Sequence, residues 1–370
     1  MHSYQWLSNQ QQLDLVADKW RTIDTLFVDT EFHRESTFYP ILALIQVFDG
    51  NQCYLIEPSA AQNSALFKSI LRSSEITKVF HSASEDIEVI YRSLDCLISN
   101  LWDTQIAANY LLNQSSISYA KLIETTCDVT IAKGQARSDW LARPLSEQQI
   151  AYAVADVTHL ASAFERLVEM NHDIPQLGSW ITEDCLEVIK RVEQLDNVEN
   201  NYQDLKNAWK LTKTQLVRLR ALVVLREQLA RVNDKPKSFI LKDDVLFLLA
   251  QQGLKEDMLP DIERWHPASR RRYGKAVIEC LKTPLDDCNL GKLMSPKDWQ
   301  KLTQPMQQAS LVVTEAAHRL GILQDVLCSK KLLRGYVKYL LGFSTMPPRG
   351  WTASREAALG NELRLIFCDN

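Results

Sequence analysis

Four short runs in the first 82 residues, TLFVDTEF, ALIQVFDG, QCYLIEP and KVFHS, are rich in β-branched and aromatic residues and predict strands. Pro40 and the Asp49-Gly50-Asn51 turn signal separate the first three into an antiparallel meander. From about Ser84 the period lengthens. SEDIEVIYRSL, TQIAANYLL and SEQQIAYAVADVTHLASAFERLVEM place apolar residues at helical spacing. Strands followed by alternating strand and helix predict a layered α/β domain. Residues 171–205 read as a polar helical connector ending in NVENNYQDLK, and no convincing strand follows it. LTKTQLVRLRALVVLREQLA opens one helical block, punctuated by Pro236, Asp243, Gly253 and Pro267. SLVVTEAAHRLGI and SKKLLRGYVKYLLGF mark a second block of similar length.

Composition narrows this picture modestly. At 370 residues the chain has room for two or three domains. A hydrophobic content of 46% with 24% charged residues is ordinary for a globular protein. No apolar run approaches the roughly 18 residues of a membrane span, and the opening MHSYQWLSNQQQ has no signal-peptide core. A cytoplasmic location is the resulting expectation. The eight cysteines show no CxxC pair and no histidines at zinc-ligand spacing, which argues against a disulfide framework and a structural zinc site.

Charge divides the chain sharply. Residues 1–200 carry 14 Lys and Arg against 28 Asp and Glu, whereas residues 205–282 carry 17 against 9. An acidic body with a basic appendage suits an enzyme that gathers cations in one place and grips a polyanion in another, although plain surface solvation produces the same asymmetry.

The acidic body contains a candidate constellation. Asp29 and Glu31 are two apart in a strand, so alternation puts both carboxylates on one face. Flanked by Leu26, Phe27, Val28 and Phe32, they are unfavourable neighbours unless a cation lies between them. Asp86 follows the strand KVFHS at the start of a helix, with Ser82 and Glu85 at capping-box spacing; alone, it reads as an ordinary first-turn acid. Tyr152 and Asp156 project from one helix face, one turn apart, after a capping box at Ser146 and Gln149. That pair is also what a buried hydroxyl with a satisfied acceptor looks like. His81, beside Asp86, reads as a satisfied histidine at a strand end rather than a base. Clustered acids of this kind hold divalent cations against a phosphodiester.

In their order, DTE on a strand, an Asp after the next buried strand and YxxxD late in the domain resemble the three exonuclease motifs of the DEDD superfamily, tyrosine branch. More narrowly, they resemble the bacterial ribonuclease D family. TFYPILALIQVFDG, FHSASEDIEVI, LWDTQIAANYLL and SDWLARPLSEQQIAYAVADVTHL carry the likeness across the first domain. LREQLARVNDKPKSFILKDDVLFLLA is similar to the HRDC domain, and SKKLLRGYVKYLL with GWTASREAALGNEL resembles a second, divergent copy.

The resemblance implies an α/β ribonuclease H-like exonuclease domain over residues 1–200, followed by two all-α HRDC-type domains at 210–290 and 295–370. It implies two Mg²⁺ or Mn²⁺ ions, with Asp29 bridging both, Glu31 and Asp156 on the ion that activates water, and Asp86 on the second. Tyr152 would orient that water. The implied reaction is 3′→5′ removal of nucleoside 5′-monophosphates from transfer RNA precursors and other small stable RNAs. Three modules on one polypeptide could encircle the substrate entrance, so a monomer is the expectation. Within the basic block, Lys213, Arg218, Arg270, Arg271, Arg272 and Lys275 are the candidate RNA contacts, with Trp265 and Tyr273 read as core aromatics rather than stacking platforms. A helicase is excluded because no GxxxxGK[ST] loop occurs, and serine or cysteine hydrolase signatures are missing. A DNA exonuclease and a non-catalytic RNA-binding scaffold are the rival readings; the residues alone do not separate RNA from DNA.

Overall fold

The computed structural model describes residues 3–131, 138–256, 258–283 and 290–368, so residues 284–289 of the expected first helical block lie outside it. Six strands, β1 (Tyr4–Leu7), β2 (Thr25–His33), β3 (Ile41–Phe48), β4 (Cys53–Ile56), β5 (Thr77–Phe80) and β6 (Leu101–Asp103), form one mixed sheet of order β1-β4-β3-β2-β5-β6. β2, β3 and β4 make the expected antiparallel meander. Its β3–β4 turn is closed by the Asp49 carboxylate, which accepts from the backbone N–H groups of Asn51 and Gln52 at 3.0 and 2.9 Å, with Gly50 at φ 93°. β5 and β6 add in parallel beside β2.

Helices α1 (Gln10–Trp20), α2 (Pro58–Asn63) and α3 (Ala65–Arg72) precede α4 (Ser84–Leu94), so helical structure begins well before Ser84. Leu13, Val16, Ala17 and Trp20 of α1 are buried at helical spacing, and the Asn9 side chain caps its first turn. Then follow α5 (Thr104–Leu111), α6 (Tyr119–Cys127), α7 (Glu147–Asp173) and α8 (Gly178–Glu193). The supposed connector is therefore largely a core helix, since α8 buries Trp180, Ile181, Cys185, Ile189 and Val192.

The first helical block contains α9 (Lys213–Val232), α10 (Lys237–Ile240), α11 (Asp243–Gln252) and α12 (Pro267–Lys282). The second contains α13 (Pro296–Lys301), α14 (Thr303–Leu320), α15 (Gln324–Leu327), α16 (Lys330–Leu340), α17 (Ala353–Arg355) and α18 (Asn361–Phe367). No described helix is long and apolar enough to cross a membrane.

Three apolar cores form among the described residues. One face of the sheet, with Leu26, Val28, Ile45 and Val47, packs with α1 to α5 and α8, and this core runs unbroken into Val313, Leu327, Tyr336 and Leu363 of the second helical block. The opposite face, with Phe27, Leu44 and Leu55, packs against Ala153, Val154, Val157 and Leu160 of α7. The first helical block has its own core around Tyr202, Leu222, Leu246 and Val277, against which the half-buried Phe38 of the β2–β3 loop packs.

Polar ties fix both blocks to the sheet domain. Arg355, 5% exposed, pairs with Asp184, reaches the Tyr110 hydroxyl at 3.1 Å and donates to the carbonyls of Leu327 and Val326 at 2.7 and 3.0 Å. At the other seam Asp234 accepts from the N–H groups of Phe38 and Tyr39, and Asp196 pairs with both Arg92 and Arg231.

Candidate metal-binding active site

Strand alternation places Asp29 and Glu31 on the α7 face of β2, in the same row as Phe27. Their antiparallel partners are Gln46 and Leu44 of β3, and the ladder bulges immediately after Glu31. Facing them is α7, whose start is fixed by a complete Ser146–Gln149 capping box. Its register presents Asp156 to the strand, and carboxylate oxygens of Asp29, Glu31 and Asp156 all lie within 4.8 Å of one another. One buried oxygen, Asp156 Oδ1, has no hydrogen-bond partner among the described residues.

Asp86 stands outside this trio but within its field. It occupies the first turn of α4, 8% exposed, with the Thr30 hydroxyl donating to its Oδ1 at 2.5 Å. Its charge helps raise the pKa values of Asp29 and Glu31. Tyr152 sits one turn before Asp156 and hydrogen-bonds it.

Protonation reveals how unfavourable the bare cluster is. Burial first, and then the charges of Asp86, Asp156 and Glu31, push Asp29 well above the carboxylate range. Burial with the Asp156 and Asp86 charges raises Glu31 to about 9. Burial alone lifts Asp156 to about 7 against the opposing Tyr152 hydrogen bond, while burial, helped by the charges of Asp103 and Glu85, lifts Asp86 to about 7 against the hydrogen bond from Thr30. Burial and the neighbouring Asp156 keep the Tyr152 phenol protonated far above neutrality. An all-oxygen donor set with an orphaned buried oxygen and carboxylates held off their normal ionisation fits a hard divalent cation.

Several positioning residues carry no signal in a short motif. The expected Ser82 cap does not form: Ser82 has φ 60°, and α4 begins after Ala83 without a side-chain cap. Instead the buried Asp103 carboxylate, twenty residues on, takes the N–H groups of Ser82 and Ala83 at 2.9 Å each while also capping α5. Tyr119 donates to the carbonyl of Asp156 and so pins α7 against α6. Gln46, fully buried beside Asp29, has neither amide atom paired among the described residues; a lone glutamine in ILALIQVF is the available clue. His81 lies 2.9 Å from the Thr104 hydroxyl and edge-on to Tyr119, in keeping with a structural histidine.

The basic candidates lie apart from the carboxylates, on α9 and α12. Lys213 is exposed at the start of α9, and the Arg218 guanidinium covers Gly253. Arg270 pairs with Asp261 at 2.9 Å, Arg272 donates to Asn233 at 2.8 Å, and Lys275 is 3.9 Å from Glu279; Arg271 is exposed. Trp265 and Tyr273 are buried in the core of this block, 3% and 6% exposed.

Comparison with known proteins agrees with this geometry. Residues 4–171 match the 3′-5′ exonuclease family and residues 215–281 the HRDC domain family. Fold and acidic cluster thus define a 3′-5′ exonuclease with an HRDC domain. Ribonuclease D of Pseudomonas paraeruginosa is 32% identical over 358 residues, covering 95% of each chain, and that of Escherichia coli is 34% identical over 335 residues, covering 89% and 88%. The crystal structure of Escherichia coli RNase D, described as an exoribonuclease involved in structured RNA processing, superposes with a TM-score of 0.90 at 27% identity, covering 99% of both chains. The catalytic core of Trypanosoma brucei RRP6 shares the fold at a TM-score of 0.53 and 19% identity, covering 76% of this chain and 79% of that one. This chain belongs to the ribonuclease D family and is a hydrolytic exoribonuclease.

Proposed function

We propose that the chain is a two-metal 3′→5′ exoribonuclease that trims the 3′ ends of transfer RNA precursors and other small stable RNAs, releasing nucleoside 5′-monophosphates. The observation that carries this reading is the convergence of Asp29, Glu31 and Asp156 from a strand and a distant helix, with one buried oxygen left unpaired. Glu31 and Asp156 would hold one divalent ion, Mg²⁺ or Mn²⁺, Asp86 the other, and Asp29 both. When bound, such ions lower the pKa of an attacking water and neutralise charge on the leaving oxygen. Tyr152, kept protonated, donates through its hydroxyl and orients the incoming water.

Lys213, Arg218, Arg270, Arg271, Arg272 and Lys275 would contact RNA phosphates, giving affinity that falls steeply with salt. On this reading residues 1–200 form the exonuclease domain, 210–290 the first HRDC domain and 295–370 a divergent second copy, in a monomer acting in the cytoplasm.

The test is incubation with 3′-extended transfer RNA precursor, and with matched RNA and DNA strands, with Mg²⁺, with Mn²⁺ and with chelator. Asp29→Asn and Asp156→Asn are expected to abolish release of 5′-monophosphates while RNA affinity persists. Near-normal turnover in either variant would defeat the assignment.

A further inference from the structure

Gln46 is a buried group that the catalytic reading leaves unexplained. It lies in β3, where Leu44 and Phe48 pack on the α7 side of the sheet and Ile45 and Val47 on the other. Alternation therefore sends its side chain toward α7, into the layer that holds the carboxylates. The ladder pairs it directly with Asp29. Cβ atoms in such a pair are about 4.5–5.5 Å apart, near enough for a long side chain to reach its neighbour.

Packing alone gives no reason for an amide there. Gln46 is 0% exposed, and neither its Nε2 nor its Oε1 has a hydrogen-bond partner among the described residues. Buried amides normally find partners, and a leucine or methionine would fill a similar volume without the desolvation penalty. Its neighbour lacks a side-chain donor in turn. Asp86 takes the Thr30 hydroxyl and Asp156 the Tyr152 hydroxyl, whereas the hydrogen bond on Asp29 comes from the backbone of Thr30. A donor without an acceptor thus stands beside an acid without a side-chain donor.

We propose that Gln46 is a positioning residue of the metal centre, its Nε2–H donating to the Asp29 carboxylate once divalent cations occupy the cluster. This rests on the reading of Asp29, Glu31, Asp86 and Asp156 as metal ligands and deepens it. Burial and the surrounding like charges favour the protonated form of Asp29 in the metal-free protein, and a neutral carboxyl attracts an N–H less strongly than a carboxylate does. Ionised and shared by cations, Asp29 keeps lone pairs that no cation uses, and a donor on one of them fixes the plane of the carboxylate. Gln46 acts through Asp29 in this way.

The experiment uses the full chain at pH 8 with Gln46→Leu and Gln46→Met, two apolar replacements of unlike shape. Calorimetry reads Mn²⁺ binding, melts are run with and without Mn²⁺, and hydrolysis of a single-stranded RNA is followed. Both variants are expected to melt no lower than the parent without metal, to bind Mn²⁺ about tenfold to a hundredfold more weakly, and to gain less from it in melting temperature. Their kcat should fall while KM for RNA holds. A merely structural amide would give the opposite pattern, a lower metal-free melt with Mn²⁺ affinity unchanged, and that result overturns the proposal. In the parent itself, carrying isotope-labelled glutamine, a Gln46 side-chain N–H resonance should move downfield as Mg²⁺ is added; its absence from Gln46→Leu assigns it. Dissociation constants within twofold of the parent in both variants, or Gln46 resonances unmoved by Mg²⁺, likewise overturn it. Failure of the parent to bind Mn²⁺ at all would count against the metal centre itself, so the two readings fail separately.

Discussion

Adding Mg²⁺ should stabilise this protein strongly at pH 8 and scarcely at pH 5. The cause lies in the buried carboxyls. Asp86 and Asp156 ionise near 3.8 in the unfolded chain and near 7 in the metal-free fold, and Glu31 rises from 4.5 to about 9. A carboxyl whose folded pKa is raised contributes its stability fully below the unfolded pKa and loses it as pH climbs through the folded value. Between pH 4 and 7 the metal-free fold therefore forfeits on the order of a few kcal/mol for each of Asp86 and Asp156, at about 1.4 kcal/mol per pKa unit. Glu31 extends the loss toward pH 9. A bound cation requires these groups ionised, so binding at pH 7 should expel on the order of two protons. Each expelled proton changes the dissociation constant about tenfold per pH unit, so from pH 8 to pH 6 affinity should fall by several powers of ten. At a concentration one hundred times the dissociation constant, linkage supplies about 2.7 kcal/mol, a rise of roughly 5–10 °C for a domain of this size. Thermal melts with Mg²⁺ and with chelator at pH 5, 6, 7 and 8 read the difference directly, and calorimetry in buffers of unlike ionisation enthalpy counts the protons. A metal-induced shift that is the same at every pH would refute the reasoning, because it would mean the ion displaces no protons from these carboxyls.

Three further outcomes are expected. Arg355→Ala strands Asp184 and two carbonyls in a buried seam, and should cost about 3–5 kcal/mol in urea unfolding; a loss under 1 kcal/mol would show that water reaches the seam and replaces the guanidinium. Asp103→Ala frees the N–H groups of Ser82 and Ala83 ahead of Asp86, and should cost about 2 kcal/mol while weakening Mn²⁺ binding, whereas unaltered Mn²⁺ affinity would mean Asp86 is placed without it. Gln46→Leu replaces an unpaired buried amide with an apolar side chain of similar size, and should raise the melting temperature of the metal-free protein, by about 1 kcal/mol of stability; a lowered temperature would reveal a partner for that amide.

Much of the site was legible because it is written in local periodicity. Asp29 and Glu31 declare a shared face through strand alternation, and Tyr152 and Asp156 declare theirs through helical spacing after a recognisable cap. Legibility failed where the deciding partner is distant. Ser82 and Glu85 have the right spacing for a capping box, yet Asp103 takes the Ser82 N–H that the Glu85 side chain would need, and the Ala83 N–H with it, from across a strand pair. β1 and β6 leave no readable signal, because four and three residues give too short an alternation. α1 is masked for another reason: its four buried positions are diluted among glutamines and aspartates.

The second helical block alters what a truncation can mean. Its Leu327, Tyr336 and Leu363 belong to the same apolar core as Val28 and Val47, which back the strand carrying Asp29, and not to a core of their own. Nothing in the spacing of SKKLLRGYVKYLLGF announces this, since an amphipathic stripe specifies that a face will be buried but not against what. Removing residues 205–370 would strip α8 of its cover and leave Asp184 and Tyr110 without Arg355, so lost activity would report a damaged catalytic fold as readily as a lost RNA grip. The first helical block is different, with a separate core and a seam built from Phe38, Asp234 and Asp196. Point substitutions on its exposed surface, rather than deletions, are therefore the changes that can separate RNA affinity from chemistry.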